Sequence, residues 1–274
     1  MLVYKYMSYE RFLESITPEG VYLKVSHPRE FNDPFDCCGT CHGKPTKEFL
    51  DEVKADNVPW LSWFSDDSVC GVMSVMLSSR RIFDASYRVF SASDTSIKET
   101  ENEMLMWSHY GDASKGIRIT IDVDTTKIKC KRVQYRKNLP SLNLATVKSR
   151  DPFIDAEMRR FLIQCLLTKN IVWKYERERR VVFDVHSSAI QRLPARDEES
   201  KIEDARFVWR PEKAVIKEVC LGSESCRSES CRVSKKPEEL KAYLNQLNPG
   251  HGYKIQGLIS VRGGRYGYKE FPLR

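Results

Sequence analysis

Three ionisable residues at alternating positions, Glu176, Glu178 and Arg180, stand at the entrance to the apolar run Val181-Val182-Phe183. The run has the β-branched and aromatic make-up of a buried strand. Side chains alternate across a strand, so extending it backwards puts all three residues on one face. Two carboxylates and a guanidinium at the mouth of a buried strand can form a reactive cluster; they can equally be a solvated strand end. Of the two carboxylates, Glu178 is the expected working group because it lies nearer the buried part of the strand. Glu176 is then the solvated end.

Other residue types with chemical potential are spread along the chain. His109 follows Met106-Trp107-Ser108 on a short aromatic helix that Gly111 stops. It can act as a base or contact a nucleotide, although a lone His in such a helix is more often a hydrogen-bonded structural residue. The segment from Ser26 to Asp36 contains two prolines and the pair Asn32-Asp33, which make it a rigid polar loop beside a strand. Such loops are good ligand sites, and Phe31 and Phe35 are expected to anchor this one in the core. Cys38-x-x-Cys41, with Cys37 and His42 beside it, has the spacing of half a zinc knuckle. No second half follows, since Cys226 and Cys231 are spaced too widely, so these are read as reduced thiols and no metal is assigned. Trp60, Trp63 and Phe64 can stack a base or pack a helix onto the core.

These residues need elements to position them. Leu2–Tyr6 reads as a first strand, Tyr9–Ile16 as a helix capped by Ser8, and Val21–Val25 as a second strand. Tyr87–Ser93 and Ile128–Tyr135 read as strands. Gly116–Asp122 gives the cleanest alternation, with Ile117, Ile119 and Ile121 turned inward. Asp151-Pro152 has the form of a helix start, with the helix continuing to Lys169. A further strand over Ala214–Leu221, a helix over Pro237–Leu247 and strands over Tyr253–Val261 and Tyr266–Phe271 complete the order. The expected fold is α+β: mixed, largely antiparallel sheets with flanking helices, in a single domain over residues 1–274. Residues 190–210 and 223–236 are expected to be exposed loops.

The chain's 274 residues suffice for a sizeable core. A net charge of +7, spread along the chain, permits a polyanionic partner without demanding one. Met1–Ile16 lacks the apolar core of a signal peptide, and no apolar run reaches the length of a membrane helix. The expected location is cytoplasmic with no membrane partner, and the 9 cysteines are expected to be free thiols. No Gly-rich phosphate loop and no Gly-x-Ser-x-Gly elbow is present.

The order of motifs resembles a bacterial family designated domain of unknown function 2971. Tyr4-Lys5-Tyr6, Phe31-Asn32-Asp33-Pro34-Phe35-Asp36, Met106-Trp107-Ser108-His109-Tyr110-Gly111 and Trp173-x-x-Glu176-x-Glu178-x-Arg180 carry this resemblance. More distantly, the plan of strand, helix, strand and late Glu-x-Glu strand looks like ADP-ribosyltransferase-like folds. That second resemblance implies NAD as substrate. Tyr4 or Lys5 would contact the dinucleotide, Tyr22 or Ser26 would support the nicotinamide ribose, and Glu178 or Glu176 would stabilise the reaction centre. Arg180 or Arg29 would hold the pyrophosphate by bidentate contacts. Asn32 and Asp33 join this binding set, and a nucleic acid or protein is the implied acceptor. Two other readings stand beside it: a nucleic-acid-binding module using the aromatic cluster and a basic hairpin of Arg262, Arg265 and Lys269, and a non-catalytic nucleotide-binding regulatory or defence protein.

Overall fold

The computed structural model describes residues 1–18, 20–55, 81–83, 86–98, 101–123, 128–193, 206–211, 214–223, 237–247, 254–261 and 265–271. Trp60, Trp63, Phe64 and Arg262, and all of the expected 223–236 loop except Ser223, lie outside the described residues.

The chain is α+β, built on an eight-stranded sheet drawn from both ends of the sequence. Its strands are β1 (Leu2–Met7), β2 (Tyr87–Asp94), β3 (Ile117–Val123), β4 (Lys131–Arg132), β5 (Glu178–Asp184), β6 (Ala214–Leu221), β7 (Lys254–Val261) and β8 (Arg265–Phe271). They lie in the order β8-β7-β6-β3-β1-β2-β5-β4. Every pairing is antiparallel except β6 with β7. The helices are α1 (Tyr9–Ser15), α2 (Lys47–Ala55), α3 (Glu103–Tyr110), α4 (Ala156–Leu166) and α5 (Pro237–Leu247).

One face of the sheet is apolar. Val3, Phe90, Ile117, Ile119, Ile121, Val181, Phe183 and Val219 pack there with Phe12 of α1 and Leu240 and Leu244 of α5. The opposite face is polar and also buried. Cross-strand partners share a face, and the register joins Arg180 to Ser91, Glu178 to Ser93, Ser93 to Tyr4, Tyr4 to Thr120 and Tyr6 to Arg118. α3 covers this face through Met106 and Trp107, whose ring meets Tyr6 edge-on at 5.1 Å. α4 covers it beside Tyr87 and Val89. Arg118, fully buried, holds the cover down: it bonds Glu103 of α3, Glu218 at 2.7 Å and Tyr268 at 2.9 Å, between the rings of Tyr4 and Tyr268.

The sheet splits at its centre. β1 and β2 pair only at Val3↔Asp94 and Tyr4↔Ser93. Beyond that point Ser26 bridges Val89, which turns β2 toward a small sheet formed by Leu23–Val25, Arg206–Trp209 and Ile190–Leu193. The expected exposed loop over 190–210 is thereby corrected at both ends. Ile190–Leu193 pairs with Arg206–Trp209, and the Trp209 ring is buried against Phe90 and Phe183.

Four local expectations also change. The Val21–Val25 strand is broken at Tyr22, whose N–H donates to Ser15. The Ile128–Tyr135 strand is two short pieces, Lys131–Arg132 and Gln134–Arg136. Asp151 does not start α4; it accepts from the Phe153 N–H in a preceding turn, and Asp155 caps the helix through Glu157 and Met158. The helix stops at Leu166, so Lys169 lies on a strand, Thr168–Asn170, paired with Gln134–Arg136.

Candidate functional site

A cleft of about 400 Å³ opens where β1 and β2 part. Its floor is built around Arg180, which is 1% exposed. Arg180 Nη1 and Nη2 donate to both carboxylate oxygens of Asp36 at 2.9 and 2.6 Å. Nε and Nη2 donate to both oxygens of Glu178 at 2.6 and 2.9 Å. Nη1 also reaches the Leu166 carbonyl at 2.8 Å, so all five N–H donors are used within the protein. Phe31 covers the guanidinium, its ring centre 4.8 Å away.

Lys169 is the second buried cation. Its ammonium donates to Glu176 at 2.6 Å and lies 3.4 Å from Asp36 and 3.5 Å from Glu178. The short turn Ile171–Glu176 aims Glu176 into the site, and Arg177, in the left-handed region at φ 46°, swings the chain into β5. Glu176 therefore precedes the strand instead of lying on it. It reaches the same cluster through this turn, where Tyr110 of α3 donates to it at 2.6 Å. With 2% exposure, Glu176 is not the solvated end that strand alternation implies.

The two glutamates are driven apart. Burial, with Glu178 close by, pushes the Glu176 carboxyl above the usual range although Lys169 pulls against it. Burial also opposes charge on Glu178, but there Arg180 and Lys169 prevail and hold its carboxyl below the usual range. Asp36 is held low against burial by Arg180 and Lys169 in the same way. Ser91 on β2 donates to Glu178, directly across from Arg180.

At the split, the half-buried Lys5 ammonium donates to the Ser91 carbonyl at 2.6 Å and lies 5.4 Å from the Phe90 ring centre. Burial lowers it to about 8; Glu178 resists this, and Lys24 and Arg11 add to it. Lys24 and Arg11 line the same cleft. The cleft is thus bipolar: three carboxylates with their paired Arg180 and Lys169 form the floor, and Lys5, Arg11 and Lys24, with Glu30 beside Lys24, line the other side.

The structure brings together Tyr4, Lys5, Ser26, Asn32, His109, Glu176, Glu178 and Arg180 from the sequence candidates, with the Tyr4 ring centre also 4.2 Å from the Arg118 guanidinium carbon. His109 is exposed at the end of α3, its Nδ1 3.1 Å from the Tyr175 hydroxyl. Three assignments do not hold. Tyr22 sits under Arg210 and does not line the cleft. Asp33 caps its own loop through the Phe35 N–H at 2.9 Å, and Phe35 is 64% exposed instead of anchoring the loop. Arg180 has no donor left for a pyrophosphate, and Arg29 does not line the cleft.

Sequence reasoning missed Asp36, Ser91, Tyr110 and Lys169 as site residues. Asp36 and Tyr110 lay inside recognised motifs and Ser91 on an expected strand; Lys169 was hidden by the overlong helix. Cys37 is fully buried and donates to Asp36, while Cys38 donates to the Pro34 carbonyl. His42 meets Ser141 at 2.8 Å. Among the described residues no group of three or more His, Cys, Asp or Glu side chains is placed to hold a metal, and no helix is long and apolar enough to cross a membrane. No family model, curated protein or solved structure matches the chain.

Proposed function

We propose that the protein cleaves the nicotinamide–ribose bond of NAD and passes the ADP-ribosyl group to water or to a hydroxyl of a nucleic acid or protein acceptor. The observation that supports this reading is the pair of buried glutamates with opposed proton affinities on the floor of the bipolar cleft. Groups whose environments separate their pKa values are suited to different roles in one reaction. The order of motifs that resembles ADP-ribosyltransferase-like folds agrees with it.

In this reaction the C1′–N bond breaks and its electron pair leaves with nicotinamide, which departs neutral. Positive charge develops on the ribose as in glycoside cleavage. Glu178 stays ionised because Arg180 and Lys169 hold it so, and it faces that charge as a fixed anion. The acceptor oxygen then forms the new bond to C1′, and its proton passes to Glu176. The raised affinity of Glu176 makes it a better base near neutral pH than an ordinary carboxylate. Tyr110 and Lys169 keep its two oxygens oriented. Ser91 and Arg180 position Glu178.

The test is nicotinamide release by the purified full chain supplied with NAD. Wild type is expected to release it, and Glu178→Gln to lose on the order of 10² to 10³ of that rate, the scale for removing one preorganised electrostatic group. Equal rates in both proteins, or no release at all, would overturn the proposal.

A further inference from the structure

The cationic wall of the cleft does no work in the chemistry above, and the pyrophosphate expected at Arg180 has no donor there. Lys5 comes from the split edge of β1, Arg11 from α1 and Lys24 from the short strand Leu23–Val25. Three elements of different origin thus converge on one wall. The Lys5 ammonium has a backbone carbonyl as its hydrogen-bond partner. Among the described residues the Arg11 guanidinium makes no hydrogen bond or ion pair; only its backbone N–H is engaged, by Ser8. Lys24 pairs with Glu30, which offsets part of its charge and leaves it 38% exposed. Lys24 and Arg11 are near enough to Lys5 to weaken its hold on its proton, and a guanidinium beside ammonium groups suits phosphate oxygens.

We infer that Lys5, Arg11 and Lys24 form a diphosphate subsite, which orients a nucleoside-diphosphate-linked ribose so that its glycosidic carbon meets Glu176 and Glu178. The inference rests on the proposed function for the ribose end and adds the residues that select the diphosphate. It makes the substrate class a diphosphate-bridged nucleotide and disfavours a simple nucleoside, which would bring no anion to Arg11 and Lys5.

Inorganic pyrophosphate and ADP-ribose, neither containing the scissile nicotinamide bond, serve as probes in calorimetric titrations of the full chain. Both are expected to bind wild type and to weaken as salt rises. Arg11→Gln with Lys24→Gln should weaken pyrophosphate at least tenfold at an unchanged thermal midpoint; Arg11→Lys with Lys24→Arg, which keeps the charge, should retain most of the affinity. Absent pyrophosphate binding, or equal binding by the double Gln variant, overturns the subsite even if nicotinamide is released. Binding that follows the wall variants supports it even if no nicotinamide is released, in which case the proposed reaction alone falls.

Discussion

Glu176 and Glu178 are separated by one residue, yet burial wins at the first and two cations win at the second. That contrast sets the pH dependence. The proposed base must be ionised, so activity should rise with pH through a midpoint above the ordinary Glu value of about 4.3. The alkaline limb should fall near pH 8, where Lys5, facing Glu178, Lys24 and Arg11, loses its proton. Lys5→Arg keeps its charge to far higher pH and should move that limb upward in a pH–rate profile; an unmoved limb would contradict the assignment. Glu176→Gln should lower the rate by about 10² to 10⁴, the range for general-base removal, measured at saturating NAD. The glutamates were legible in the sequence because they precede an apolar run. Their ordering was not, because Arg177 in the left-handed region ends the strand pattern one residue after Glu176.

Among the elements, β5 and the loop ending at Asp36 are tied by one side chain. Arg180→Met would leave Asp36 and Glu178 buried with only Lys169 opposite them. Breaking a buried pair in this way costs about 3–5 kcal/mol, which denaturant titration would register. Asp36 and Glu178 are held below their unfolded values, so their contribution is complete above about pH 4 and is lost as pH falls through those lowered values. The variant should therefore lose less stability than wild type on acidification from neutral pH. A second tie lies at the exit of α3. A Cβ on Gly222 would stand 2.1 Å from the Ser114 carbonyl oxygen, and one on Gly116 would stand 2.2 Å from the Met7 carbonyl oxygen. Both neighbours are backbone, so Gly222→Ala should destabilise by about 1–3 kcal/mol, the range for overpacking, measured by thermal melting. Capping chemistry read well where the cap was local, as at Ser8, whose hydroxyl accepts from the Arg11 N–H group. It failed at Asp151, whose turn ends before Asp155 begins the true helix; Lys169 was lost at the other end, where the helix stops at Leu166.

For the whole molecule, the sheet buries both faces. Ile117, Ile119 and Ile121 announced the apolar one, because period-two alternation is the signal of a half-buried strand. The same rule assigns Arg118 and Thr120 to solvent, and here it fails: Arg118 is 0% exposed and Thr120 7%. Nothing local in β3 marks a polar face that α3 will cover, since its partners Glu103, Glu218 and Tyr268 lie up to 150 residues away. The α+β class followed from element order, whereas the split between β1 and β2 did not, because it depends on Ser26 taking the place of β1 beside Val89. The cleft exists because of that split, and it brings the residues of four sequence motifs together.

The central claim is that Glu178 acts as an ionised group on a ribosyl centre in this cleft. Nicotinamide release from NAD, compared at equal enzyme concentration for wild type, Glu178→Gln and Glu178→Asp, tests it most directly. The account predicts release by wild type, loss of about 10² or more in Glu178→Gln and partial recovery in Glu178→Asp, with all three proteins folded. Release that persists unchanged in Glu178→Gln, or no release from wild type across pH 5 to pH 9, would contradict it.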